Sequence, residues 1–241
     1  MSLTEQETIG RPSRRRPRGR ARRRAAFGFL AVTAVAIAVL AVTPYLTLSS
    51  YGNLPEYADR PTAVQVAFYV HVFFAGSALL LSPLQIAARL RARAPRFHRV
   101  VGRIVFGCIA VGGCAALVMA PFNTAGPVGA VGIIITALVW LFCAAAALRA
   151  IRRRDVPAHR RWAVRTFALT YTAVTLRVGT LTVMGLLVAL FGMDADVAHT
   201  RAYTAFLLLA WAIDLAVAEC YLVTRHRRTG DRHRRLAPSP A

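Results

Sequence analysis

Four ionisable residues interrupt otherwise apolar stretches of this 241-residue sequence: His71, Arg177, Asp214 and Glu219. An imidazole titrates near neutral pH and can pass a proton. A guanidinium keeps its charge and must find an anion, water or carbonyl oxygens. Asp214 is the obvious counter-charge for Arg177, since both fall near the middle of their stretches. Glu219 lies five residues after Asp214, about 140° round a helix, so one partner cannot serve both. Kept neutral by burial, Glu219 suits a proton relay; ionised, it can reach an arginine at the basic end of its helix. Ala67, His71, Ala75, Ala78, Ser82 and Gln85 form one stripe, which reads either as close helix packing or as a wetted path from His71 to Gln85.

Two further histidines stand where a redox group could be held. His98 and His159 open apolar stretches at one depth, which makes bis-imidazole ligation of a haem geometrically conceivable, as in a membrane electron carrier of cytochrome b type. Against it, both lie in arginine-rich boundaries where an imidazole more often caps a helix or stays solvated, and His71 has no second histidine at its own depth. His199 falls near a membrane surface, and His226 and His233 stand in a basic tail. Cys108, Cys114, Cys143 and Cys220 lie in apolar stretches without C-x-x-C spacing and read as packing residues, not as disulfides or metal ligands. No Walker loop, nucleotide fingerprint, G-x-S-x-G elbow, H-E-x-x-H or paired-carboxylate site is present, so no catalytic residue is assigned and an enzyme of soluble type is not expected.

These residues need elements that can carry charge through lipid. The chain is 56% apolar with mean hydropathy +0.48, yet it has 31 basic residues, all arginine, against 10 acidic ones, for a net charge of +21. A nucleic-acid binder could carry that charge but would not need six stretches of about 20 apolar residues, so nucleic acid is not an expected partner. The stretches are 26–48, 62–88, 100–122, 128–148, 164–191 and 202–223. Apolar residues run on in them without alternating, and only helices satisfy their own backbone groups in lipid. The expected class is all-α, a polytopic bundle of six transmembrane helices.

With the N-terminus inside, the inner segments and their flanking helix turns hold 28 of the 31 arginines, while the outer loops hold Arg60 and Arg201. The positive-inside rule therefore assigns N-in and C-in. Residues 1–25 read as a disordered basic cytoplasmic tail, 26–225 as the membrane domain and 226–241 as a second basic tail. The run from Arg11 to Arg24 reads as a topology anchor on anionic lipid. Its arginines before Phe27 resemble a twin-arginine signal, but the first stretch lacks a small-residue cleavage site and reads as retained.

The two inner loops resemble each other. Pro95, His98, Arg99 and Arg103 in one match Pro157, His159, Arg160 and Arg165 in the other, with the Pro-to-His spacing differing by one. Duplication of a helical hairpin and convergence of short basic loops both explain this. In the fifth stretch Thr170, Val174, Arg177 and Thr180 share one face, while Thr172, Thr175, Gly179 and Thr182 gather on the opposite one, so the helix should be interior to the bundle.

The string His159-Arg160-Arg161-Trp162-Ala163-Val164-Arg165, continued by Leu169-Thr170 and Ala173-Val174-Thr175-Leu176-Arg177, resembles the signature of the bacterial membrane family called domain of unknown function 2306. His71 with Gly76 and Gln85, His98-Arg99 with Gly102-Arg103, and Trp211 with Ala218-Glu219 are similar to its other blocks. The likeness covers about Thr62 to Arg225. It implies a multi-pass protein of the bacterial inner membrane and carries no established activity. The chain departs from the pattern at Asp214, where Asn is expected, and at Ile213, where Pro is usual.

Three functions compete. The polar layer of His71, Arg177, Asp214 and Glu219 could serve a small carrier, sensor or proton-linked protein taking a lipid-like, quinone or carboxylate ligand. The haem carrier is the second, and a non-catalytic scaffold or assembly factor the third.

Overall fold

The computed structural model describes residues 18–46, 57 and 59–236. Among the described residues there are seven α-helices and one short 3-10 turn: α1 (Arg18–Leu46), α2 (Thr62–Ile86), α3 (Ala88–Arg93), α4 (Pro95–Met119), the turn Ala120–Phe122, α5 (Gly126–Arg152), α6 (Val156–Phe191) and α7 (Ala195–Leu236). All but α3 include a segment long and apolar enough to cross a bilayer, which gives the expected six spans. Four of them, α1, α5, α6 and α7, run further than hydropathy alone delimits them at one end or both, α4 begins five residues earlier at Pro95, and α2 stops at Ile86, two residues short of the expected stretch. Helix α1 begins at Arg18 and α7 continues to Leu236, into the stretches expected to be disordered tails; the rest of those tails, residues 1–17 and 237–241, lies outside the described residues.

Local chemistry sets the boundaries. Asp155 caps α6 by accepting a hydrogen bond from the Ala158 amide at 2.9 Å, with Pro157 in the first turn, and Gly192 ends the helix in the left-handed region at φ 60. Pro95 opens α4, at the position where a missing N–H costs nothing. At the α4–α5 turn the Asn123 amide donates to the Ala120 carbonyl at 2.6 Å and its Oδ1 accepts from the Ala125 amide, so the reversal satisfies itself without water. The α5–α6 reversal places Arg154 at φ 62.

The arginine-rich connections, α3 and the α5–α6 turn, lie at one end of the bundle, here called the basic end. The α4–α5 turn and Gly192 lie at the other. Helix α6 packs on α1, α2, α5 and α7, in keeping with a sequence that is polar or small on two faces. The central core is Ala78, Val101, Val105, Cys108, Ile109, Trp140, Cys143, Ala144 and Leu169, drawn from α2, α4, α5 and α6. Small residues bring the backbones close. A methyl added at Gly112 would meet the Ala75 backbone of α2 at 3.1 Å, and one at Gly132 would sit 2.5 Å from the Leu207 carbonyl oxygen of α7.

Candidate functional site

The ionisable groups of the spans do not converge on one layer; they separate into three places. Around Arg177, the guanidinium donates to the Ala173 carbonyl one turn earlier on its own helix at 3.1 Å. Among the described residues it has no carboxylate partner. His71 is close enough to interact with its charge, as are the phenols of Tyr45 on α1 and Tyr203 on α7. Arg177 is exposed together with its neighbours Val178 and Leu181, although protein surrounds it on most sides. Arg177 thus stands at the surface of α6, with Tyr45 of α1 and Tyr203 of α7 near enough to feel its charge. His71 is half-buried, and its Nδ1 is 2.9 Å from the Gly112 carbonyl oxygen of α4. A helix carbonyl can only accept, so Nδ1 carries the proton and Nε2 keeps its lone pair. The two phenols sit among aromatic rings: Tyr45 packs edge-on against Phe68 and Tyr69, and Tyr203 stacks on His199.

Asp214 is the second place. Its Oδ1 accepts a hydrogen bond from Thr175 Oγ1 at 2.8 Å, and its Oδ2 is buried without a partner. The Arg177–Asp214 pair expected from depth does not form. Thr175 and Arg177 are two residues apart, hence about 200° round the helix, and α7 packs on the Thr175 side. Depth agreed and azimuth did not.

Glu219 is the third. It meets Arg165 of α6 in a two-pronged ion pair, Nε to Oε1 and Nη2 to Oε2, the latter at 2.9 Å. The Arg165 guanidinium also lies 4.6 Å from the Trp162 ring centroid. This fork fixes the register of α6 and α7 near the basic end and leaves Glu219 engaged as a carboxylate, not free as the neutral relay group considered above.

Gln85 donates to the His98 carbonyl oxygen at 3.3 Å and packs over Gly102, so it ties α2 to α4 at the basic end. His159 Nδ1 is 2.9 Å from the Ala147 carbonyl oxygen, and His98 Nδ1 is buried without a partner. The two imidazoles are near enough to sense each other's charge. Among the described residues no group of three or more His, Cys, Asp or Glu side chains could hold a metal ion.

Sequence reasoning overlooked Tyr45 and Tyr203. Tyrosines near span ends are common enough at membrane interfaces to hide a special role.

A family model described as "Predicted membrane protein (DUF2306)" matches residues 68–222. The chain belongs to this family. The DUF2306 region runs from α2 to α7 and contains His71, Arg177, Tyr203, Asp214, Glu219 and Arg165, but excludes α1 and with it Tyr45. No curated protein and no solved structure matches the chain.

Proposed function

We propose that this membrane protein binds the anionic head group of a small amphiphile at Arg177, as a carrier or sensor in the bacterial inner membrane with both termini in the cytoplasm. The observation that carries this reading is an exposed arginine in the middle of an apolar span whose hydrogen bond is to its own helix backbone. A permanent cation so placed attracts a carboxylate or phosphate, and apolar Val178 and Leu181 beside it suit an alkyl chain. His71, with Nε2 free to accept, can hold a protonated head group or take up its proton, which would link binding to pH. The orientation follows from the arginine-rich end, whose side chains favour the anionic cytoplasmic leaflet.

The test is ligand binding and proton flux in liposomes for wild type and Arg177→Gln. Weaker binding by the variant with unchanged helicity supports the reading; identical behaviour leaves Arg177 a structural role only.

A further inference from the structure

The Asp214 seam points to a second site, on the opposite face of α6 from Arg177. Threonines in helices usually satisfy their hydroxyls on the carbonyl one turn earlier, and Thr166, Thr170 and Thr182 of α6 do so at 2.8–2.9 Å. Thr175 instead gives its proton to Asp214. Thr172, only 8% exposed, faces the same carboxylate within reach of a hydrogen bond whose strict geometry is not met, so its Oγ1 and Asp214 Oδ2 are both buried with only each other to turn to among the described residues. One turn before Asp214, Trp211 Nε1 is also buried without a partner. Thr172 and Asp214 can serve each other, which leaves the Trp211 indole N–H and the charge of Asp214 itself without a counterpart among the described residues.

The charges around the seam say what the counterpart is. On α6, Arg160 and Arg161 stand in the first turns at the basic end, Arg165 is committed to Glu219, and Arg177 on the far face to Ala173. Tyr171 shares a hydrogen bond with Thr33 of α1. On α5 the titratable groups are Cys143, which senses the Arg165–Glu219 pair, and Arg149 and Arg152 in the last turn at the basic end. On α7 itself the neighbouring acid, Glu219, is already neutralised. Among the described residues nothing cancels the Asp214 charge, and a carboxylate at membrane depth needs a cation.

We propose that Asp214, Thr172 and Thr175 form a buried site for a small monovalent cation, sodium or a proton, with a water on the Trp211 side. One carboxylate matches one positive charge, and carboxylate with hydroxyl oxygens is a hard donor set. The indole N–H, which no cation can satisfy, donates to the water.

The test uses the full-length protein in nanodiscs, with thermal unfolding in sodium against choline buffers and the infrared C=O stretch of a protonated carboxyl, for wild type, Asp214→Asn and Thr172→Val. Asparagine can donate to Thr172 and accept from Thr175, so Asp214→Asn should fold without the cation. If sodium is the ligand, saturation at about 100 times its Kd raises the wild-type midpoint by about 5–10 °C, an effect absent in Asp214→Asn and reduced in Thr172→Val. If the proton is the ligand, wild type shows a protonated-carboxyl band that disappears in Asp214→Asn and shifts in Thr172→Val, with no response to sodium. Should Asp214→Asn fail to fold, Thr172→Val reads both signals alone. No sodium effect together with no protonated-carboxyl band overturns the site. None of these results depends on Arg177.

Discussion

Replacing Gly132 by alanine tests how closely α5 and α7 approach. The added methyl would stand 2.5 Å from the Leu207 carbonyl oxygen and 3.1 Å from the Leu208 amide nitrogen, where ordinary contact begins at 3.4 Å. The obstacle is backbone and cannot rotate away, so α7 must retreat by roughly 0.9 Å or α5 must bend. Overpacking of that kind costs about 1–3 kcal/mol. Removing a mid-helix glycine returns about 0.5–1 kcal/mol of helix propensity. The net loss of about 1–2 kcal/mol corresponds to a midpoint lowered by roughly 2–8 °C for a chain of this size. Gly107 and Gly185 have nothing within 4 Å of an added methyl and serve as controls. The same substitution there raises the midpoint by about 1–4 °C. Thermal unfolding of the three variants in one lipid decides the matter: equal midpoints for Gly132→Ala and Gly107→Ala would refute the close α5–α7 contact. Leu207 lies two helical turns from Asp214 on the same side of α7, so Gly132→Ala should also weaken any sodium or proton response of the seam.

Further outcomes follow from individual contacts. Glu219→Gln breaks the fork to Arg165; with the Glu219 side chain 43% exposed, the loss should be only about 1 kcal/mol, and a double-mutant cycle with Arg165→Gln should recover most of it as coupling. Thr170→Val removes the acceptor of the Trp140 indole N–H, now 2.9 Å away and buried, and should cost about 1–3 kcal/mol in equilibrium unfolding, with a change in tryptophan fluorescence that Thr182→Val does not share. Detergent-purified protein should show no Soret band, because His71, although its Nε2 keeps a lone pair, has no second imidazole at its depth among the described residues. A band lost in both His98→Ala and His159→Ala would move the function to the basic end.

The spans were legible because crossing lipid demands long apolar helices, a constraint hydropathy reads directly. Their true lengths were not: arginine-rich turns such as 156–163 of α6 continue the helix in water, where hydropathy is silent. The two faces of the fifth span were also legible, and they contained the answer for Asp214, since Thr175 and Arg177 stood on opposite sides. Depth was used to choose its partner, whereas which face meets α7 is a packing outcome that one sequence does not display. Glu219 reached a basic-end arginine because side-chain length and position left few alternatives. The link from His71 to Gly112 was hidden because a carbonyl acceptor has no side-chain signature.

The central claim is that Arg177, exposed on α6, receives an amphiphilic anion from the bilayer. A photoactivatable fatty-acid analogue, crosslinked to the protein in nanodiscs and mapped by mass spectrometry, tests it most directly. The account predicts adducts concentrated on Tyr45, Leu181 and Tyr203 that disappear in Arg177→Gln. Adducts spread over lipid-facing residues such as Leu40 and Phe142, and unchanged in that variant, would contradict it.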